Sequence, residues 1–81
     1  MKRIEGGIGM KSYIFTFGIG MKHERTAVRI KASNSTLARE KMAKEFGLKW
    51  AFQYEEDDYY RMCKELGIEP YPIKFEFEVT E

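Results

Sequence analysis

The sequence is poor in the residues that build disulfide and zinc frameworks. Its 81 residues include one cysteine, Cys63, and one histidine, His23. Since a disulfide needs a pair of cysteines and a structural zinc site needs several Cys or His ligands, the chain alone can form neither. This composition predicts a protein of a reducing, intracellular compartment.

Long hydrophobic runs are also missing. The longest stretch without a charged residue, Ser12 to Met21, has ten residues, whereas a membrane-spanning helix needs about 20. The sequence therefore predicts no contact with a membrane. Residues 1–9 contain three glycines and no periodic pattern, which predicts a flexible leader, and residues 10–81 supply the material for a single domain.

Motifs of catalysis and cofactor binding are absent as well. His23 lies in a glycine-containing loop, where a single histidine is ordinary surface. Cys63 falls on the apolar side of a predicted helix, where a thiol belongs to the core. The carboxylates of residues 55–58 lack the alternation and the central glycine of a calcium-binding loop. The sequence thus predicts a non-enzymatic protein without catalytic, cofactor-binding or metal-ligating residues.

Four segments alternate apolar and polar residues with the period that is typical of β-strands, namely residues 11–17, 25–32, 48–54 and 73–79. In the third segment, Trp50 is the predicted core anchor and shares an aromatic face with Phe52 and Tyr54. The outer face of the second segment is basic, and the outer face of the last is acidic.

Two further segments have the pattern of amphipathic helices. In the first, Ala38, Met42 and Phe46 recur every four residues, after a run of N-capping residues at 33–36 and before Gly47. The second begins with the acidic residues 55–58, which suit the positive end of the helix dipole, and ends before Gly67. Its apolar side is predicted from residues at positions i, i+3, i+4 and i+7, which are Tyr59, Met62, Cys63 and Leu66.

The predicted order of elements is β-β-α-β-α-β. Four strands with an apolar face and two one-sided helices fit an α+β fold of two layers. We expect a four-stranded, mostly antiparallel sheet that carries both helices on its apolar face and leaves its other face polar.

Charge is distributed unevenly along the chain. Residues 1–44 hold ten basic and three acidic side chains, whereas residues 45–81 hold four basic and ten acidic ones. Such asymmetry is informative about partners. Either the two halves present separate charged surfaces, or they interleave in the fold and neutralise each other.

The acidic half contains the sharper candidate for a binding surface. Four successive carboxylates are flanked by tyrosines, and two more lie on the last strand, so together they can present the spaced negative charge of a nucleic-acid backbone to a basic groove of a protein. The predicted partner-binding residues are Tyr54, Glu55, Glu56, Asp57, Asp58, Tyr60, Glu76 and Glu78.

The basic half offers an alternative, a small accessory protein that binds nucleic acid itself. Cations line one face of the second strand and continue onto the following helix, and a basic stripe of this kind attracts phosphates. The residues of this alternative are Arg25, Arg29, Lys31, Arg39, Lys41 and Lys44.

Several of these segments, taken together, carry a resemblance. They are Tyr13-Ile-Phe-Thr-Phe-Gly18, the helix with Ala38-Arg39-Glu40 that ends at Phe46-Gly47, and Lys49-Trp50-Ala51-Phe52 followed by Tyr54 and acids. Over roughly residues 10–60, this arrangement resembles small accessory proteins of phages and prophages. The resemblance implies the cytoplasm of a bacterial host cell and supplies no catalytic residues.

The run from Tyr54 to Tyr60 also resembles the acidic patches of some anti-CRISPR proteins. Those proteins are similar in size and block the DNA-binding groove of an RNA-guided nuclease. This second resemblance implies a host protein as the partner, in a nucleic-acid-processing complex, and inhibition of host defence as the function.

Overall fold

The structure is a computed structural model that describes residues 10–18, 20, 22–47 and 49–79. The predicted leader, residues 1–9, lies outside the described residues. The elements are β1 (Lys11–Thr16), β2 (Ala27–Ala32), α1 (Ser35–Phe46), β3 (Phe52–Glu55), α2 (Glu56–Leu66) and β4 (Ile73–Glu78). Their order and the α+β class confirm the prediction. Neither described helix is long and apolar enough to cross a membrane.

The four strands form one sheet in the order β3-β1-β2-β4. The central strand β1 is antiparallel to β2 on one side and to β3 on the other, with Phe15 opposite both Val28 and Gln53. The remaining pair, β2 and β4, is parallel. The sheet is therefore mixed, although most of its pairings are antiparallel as predicted.

Helix α1 packs on the aromatic face of the sheet, which we call the α1 face. Its first turn is capped by Asn34, whose Oδ1 accepts a hydrogen bond from the Leu37 N–H at 2.9 Å. Ala38 and Met42, one turn apart, are fully buried. They cluster with Tyr13 and Phe15 of β1, with Phe17 just after that strand, and with Val28, Ile30 and Ala32 of β2.

Helix α2 packs on the opposite face, which we call the α2 face. Its buried residues Tyr59 and Cys63 cluster with Ile14 of β1 and Ala27 of β2. Because neighbouring residues of a strand point to opposite sides, Ile14 and Phe15 mark the two faces of the sheet. This arrangement corrects the predicted two layers: the helices cover both faces instead of sharing one, and the second face is not simply polar.

The strand order explains why the helices separate. The connection from β2 through α1 to β3 crosses β1 in one direction, and the connection from β3 through α2 to β4 crosses the whole sheet in the other direction. In each case the two joined strands are parallel to each other. Crossovers of the same hand that run in opposite directions place their helices on opposite faces.

Strand β3 is shorter than predicted, and its aromatic residues divide between the two faces. Thr16 is opposite Phe52 in the sheet, but the Thr16 carbonyl oxygen also accepts a hydrogen bond from the Ala51 N–H at 2.8 Å. Two successive residues therefore lie against Thr16, and the alternation of side chains between the two faces is interrupted just before β3. Trp50 therefore packs edge-on against Phe15 on the α1 face, with ring centroids 5.1 Å apart. Phe52 points to the α2 face, which corrects the predicted common aromatic face.

Candidate functional site

The four carboxylates of Glu55, Glu56, Asp57 and Asp58 lie where β3 passes into α2, and we call them the acidic corner. Glu55 is the last residue of the strand and the N-cap of the helix, although its side chain makes no capping hydrogen bond. The other three form the first turn of α2. Their charge complements the positive end of the helix dipole, so the sequence places them where the helix tolerates them best.

Most of the acidic corner is only loosely engaged within the protein. Glu55 lies 3.9 Å from the Lys11 ammonium, and both side chains are more than half exposed. Asp58 pairs with Arg61 one turn later at 2.9 Å, again at the surface. The described residues place no cation within ion-pair distance of the exposed Asp57. Since exposed ion pairs are worth about 0–1 kcal/mol, Glu55 and Asp58 can exchange these partners for an external cation.

Glu56 differs from its neighbours because it pairs with Arg29, which also contacts Glu76; we call these three residues the ion cluster. The Arg29 guanidinium donates from Nε to Glu56 Oε1 at 3.2 Å and from Nη2 to Oε2 at 2.6 Å. A third bond runs from Arg29 Nη1 to Glu76 Oε2 at 3.4 Å. The hydrogen bonds to Glu56 raise the pKa of Arg29. Here a cation of the basic half pairs with two carboxylates of the acidic half, so the two halves interleave at this point and partly neutralise each other.

The remaining predicted partner-binding residues surround this cluster. Glu78 stands opposite Lys31 in the β2–β4 pair, and both side chains are exposed. Tyr54 and Tyr60 lie on either side of Tyr59, with ring centroids 5.3 Å and 5.5 Å from the Tyr59 ring. The structure thus brings most of the predicted partner-binding residues to α2 and the α2 face. The exception is Glu55, because its pairing with Tyr13 and its ion pair with Lys11 place its side chain on the α1 side of β3.

Tyr59 anchors this group of tyrosines. It is buried, and its hydroxyl oxygen accepts a hydrogen bond from the Tyr71 N–H at 2.9 Å. Removal from water raises the pKa of Tyr59 to about 12, and burial also raises the pKa of Tyr54. The helical spacing placed Tyr59 and Leu66 on the same apolar side of α2; burial confirms the prediction for Tyr59, whereas Leu66 is exposed.

The cations of the nucleic-acid alternative do not come together. Arg29 and Lys31 lie on the α2 face, whereas Arg39, Lys41 and Lys44 belong to α1 on the other side of the sheet. Arg39 Nε donates to Gln53 Oε1 at 3.3 Å. Lys41 pairs with Glu45 at 2.7 Å and lies 5.1 Å above the Phe77 ring. Arg25 sits in the loop before β2 with a positive φ of 66°.

A second feature of the α2 face was missed by the sequence analysis. Six large hydrophobic residues are exposed in the described part of the chain. Four of them line one groove between β3 and the C-terminal end of α2, and they are Phe52, Leu66, Ile68 and Tyr71. The groove has a volume of about 440 Å³, and Tyr54 and Met62 also line it. We call it the apolar groove; its only sequence signal was the pair Leu66 and Ile68 around the helix-ending Gly67.

His23 has a structural role that its loop position concealed. Its ring lies 5.3 Å from Phe17, 5.7 Å from Phe46 and 5.2 Å from Phe75, measured between centroids. It therefore closes one end of the aromatic core on the α1 face, which corrects its interpretation as ordinary surface. Cys63, by contrast, is buried on the α2 face as predicted.

Comparison with protein-family models, with curated proteins and with solved structures finds no match. Within the described ranges, no group of three or more His, Cys, Asp or Glu side chains is arranged to hold a metal ion. The acidic corner and the apolar groove are therefore the candidate functional surfaces of the described residues.

Proposed function

We propose that this protein acts by binding another protein, without catalysis of its own, through the surface formed by the end of β3 and the start of α2. The observation that carries the proposal is the state of the acidic corner. Three of its carboxylates belong to the first turn of α2 and the fourth to the N-cap, and Glu55, Asp57 and Asp58 have weak ion pairs or none among the described residues. A basic protein surface would supply the missing counter-charges.

The tyrosines strengthen this interpretation. Tyr54 and Tyr60 flank the buried Tyr59 and continue the surface beyond the acidic corner. Tyrosine is favoured at protein interfaces because a rigid ring buries much area while its hydroxyl group stays hydrogen-bonded. Carboxylates beside tyrosines therefore combine charge steering with apolar contact, as a protein-binding surface requires.

In its concrete form, the proposal is a phage-type inhibitor of a host nucleic-acid-processing complex, such as a defence nuclease in the bacterial cytoplasm. A nucleic-acid groove in such a partner is lined with lysine and arginine. Carboxylates spaced along a helical turn and the neighbouring strand can occupy such a groove in place of phosphates.

A pull-down with matched charge reversals tests the proposal. The first variant is Asp57→Lys with Asp58→Lys, which leaves the Arg29–Glu56 pair intact. The control is Glu40→Lys with Glu45→Lys on α1, which changes the net charge by the same amount on the other side of the sheet. Each protein is immobilised and exposed to bacterial host lysate after nuclease treatment, and the retained proteins are quantified by mass spectrometry.

We expect the parent and the control to retain the same protein and the first variant to lose it. Retention should also weaken as salt is raised, because exposed charges are screened over about 8–10 Å. Equal retention by both variants would contradict the proposal, as would the absence of any protein retained by the parent.

A further inference from the structure

The apolar groove is an unusual feature for so small a surface. Phe52 is 59% exposed, Leu66 is 64% exposed and Ile68 is 51% exposed, although all three are large hydrophobic residues. All three line a single groove together with Tyr71. Scattered apolar residues are normal on a protein surface, whereas a contiguous patch marks a place where another molecule is bound.

The groove runs along a strand whose outer edge is open. In the sheet order β3-β1-β2-β4, no strand of the described chain pairs with the outer side of β3. The Thr16 carbonyl accepts a hydrogen bond from the Ala51 N–H, so the backbone N–H and C=O groups of Thr16 point toward β3. Those of Ile14, two residues earlier in β1, point the same way. Their partners Phe52 and Tyr54 therefore form the inner hydrogen bonds of β3.

The other two residues of β3 face outward. By the same alternation, Gln53 directs its backbone N–H and C=O groups to the open edge, and Glu55 directs its N–H there, whereas the Glu55 C=O belongs to the first turn of α2. The strand is held in this position from the α1 face, since Gln53 Nε2 donates to the Ser35 carbonyl at 3.1 Å and Arg39 donates to Gln53. The edge is thus a preorganised row of donors and acceptors next to an apolar groove.

The opposite edge of the sheet lacks this combination. Strand β4 presents Lys74, Glu76 and Glu78 as exposed, charged side chains along its length. Charges of this kind protect an edge from pairing with another strand. In β3, Phe52 and Tyr54 occupy the corresponding positions on the α2 face. The two edges are therefore not equivalent, and β3 is the edge suited to pairing.

The charges around the groove select the kind of segment that would pair. Glu69 is the one charged residue that lines the groove in the described part of the chain, and it has no ion pair there. Asp58 and Glu65 lie four residues before and three residues after Met62, on the same side of α2. An occupant with lysine or arginine would complement these carboxylates, whereas an acidic occupant would be repelled.

We propose that the apolar groove and the open edge of β3 bind an extended segment of the partner protein, which adds to the sheet as a fifth strand. Its apolar side chains alternate and pack against Phe52 and Tyr54, and it carries lysine or arginine beside the carboxylates of α2. Backbone hydrogen bonds to Gln53 and Glu55 provide affinity, and the groove provides side-chain specificity. This inference rests on the proposed function, since it specifies which part of a partner protein is bound.

A display selection tests the chemistry of the occupant without knowledge of the partner. Yeast cells that display random nine-residue peptides are sorted for binding to the fluorescently labelled protein and against binding to its Phe52→Ser variant. We expect enriched peptides with apolar residues at every second position and an excess of lysine and arginine. The inference would be overturned if the enriched peptides had apolar residues at helical spacing or were acidic. It would also be overturned if no peptide bound the parent more tightly than the Phe52→Ser variant.

Synthetic copies of an enriched peptide then test the mode of binding by fluorescence anisotropy. Two peptides are compared, one with methylated backbone nitrogens at the odd positions and one with methylated nitrogens at the even positions. Since only every second N–H of an added strand points toward β3, one of the two peptides should bind at least tenfold more weakly than the unmethylated peptide. Leu66→Ser should weaken binding at least tenfold, and Met10→Ser, at an exposed apolar residue outside the groove, should leave it within twofold. Equal binding by the methylated peptides or by Leu66→Ser would exclude strand addition at this groove. Each variant must keep the parent's melting temperature within a few degrees.

The two proposals fail separately. If the lysate protein is lost by the acidic-corner variant but retained by Phe52→Ser and Leu66→Ser, the proposed function stands and strand addition at the groove is wrong. If the groove selects basic alternating peptides while the acidic-corner variant retains every lysate protein, the groove inference stands and the acidic corner is not the binding surface.

Discussion

The two faces of the sheet are built from the same strands but differ in how they are closed. On the α1 face, Phe15, Ile30 and Met42 are completely buried, and aromatic rings continue the cluster to His23. On the α2 face, the buried cluster among the described residues is smaller and consists of Ile14, Ala27, Tyr59 and Cys63. An ion cluster and an open apolar groove occupy the remaining area. The difference indicates that the α1 face contributes more to stability, and it is consistent with our proposal that binding takes place on the α2 side.

The largest effect should come from removing an aromatic ring on the α1 face. Phe15→Ala leaves a cavity in a fully buried position and should lower the free energy of unfolding by about 3–5 kcal/mol, most of what so small a domain has. Phe52→Ala removes the same ring from an exposed position on the α2 face and should cost less than about 1 kcal/mol. Urea denaturation of both variants measures the contrast, and equal losses would show that the two faces contribute equally.

Sequence periodicity predicted the elements because the signals are local. The alternation of Tyr13, Phe15 and Phe17 defined β1, and the spacing of Ala38 and Met42 defined α1. The run of capping residues placed the start of α1, which Asn34 caps in the structure. These patterns depend on residues close in the chain, so they could be interpreted without any knowledge of tertiary contacts.

Strand order and the division of the helices between the faces could not be predicted, because they depend on contacts between distant residues. Arg29 shows the consequence for the candidate site. The sequence placed it in a basic surface and Glu76 in an acidic one, but the parallel pairing of β2 with β4 makes them neighbours and joins them in one cluster. The apolar groove was missed for the same reason, since Phe52 and Leu66 meet only in the folded protein.

A smaller effect on stability is expected at high pH, and it comes from Tyr59 on the α2 face. Burial raises the pKa of Tyr59 to about 12 from an ordinary value of 10.0. The unfolded chain therefore releases this proton at lower pH than the folded chain, so the Tyr59 contribution is complete below pH 10 and is lost as pH rises toward 12. The loss reaches at most about 2–3 kcal/mol.

Urea midpoints measured from pH 8 to 12 for the parent and Tyr59→Phe check this expectation. The variant lacks the titrating hydroxyl group and should lose stability less steeply above pH 10. Its stability at pH 8 will be lower because the Tyr71 N–H loses its acceptor, so the slopes are compared rather than the absolute values. Parallel slopes would assign the alkaline loss to other groups.

The ion cluster should contribute less to the free energy of unfolding than Phe15 or the Tyr59 hydroxyl group. The Arg29–Glu56 pair is bidentate and its side chains are 26% and 20% exposed, so it lies between an exposed and a buried pair. A double-mutant cycle with Arg29→Met and Glu56→Gln should give a coupling energy of about 1–2 kcal/mol. The same cycle with Glu76→Gln, whose side chain is 52% exposed and whose bond is longer, should give less than about 1 kcal/mol. The reverse ranking would show that Glu76 is the principal partner of Arg29.

The smallest effect is expected in the binding of nucleic acid, which should be weak because the cations are divided between the two faces. Arg29 is neutralised by Glu56 and Glu76, and Lys41 by Glu45. Few phosphates can therefore be contacted at once, so the parent should bind a DNA duplex more weakly than about 100 µM at physiological salt, with a shallow dependence on salt. Anisotropy titrations at two salt concentrations compare the parent with Lys31→Glu on the α2 face and Lys44→Glu on α1. Micromolar binding that is abolished by either substitution would make that face a nucleic-acid surface and would favour the alternative of a nucleic-acid-binding accessory protein.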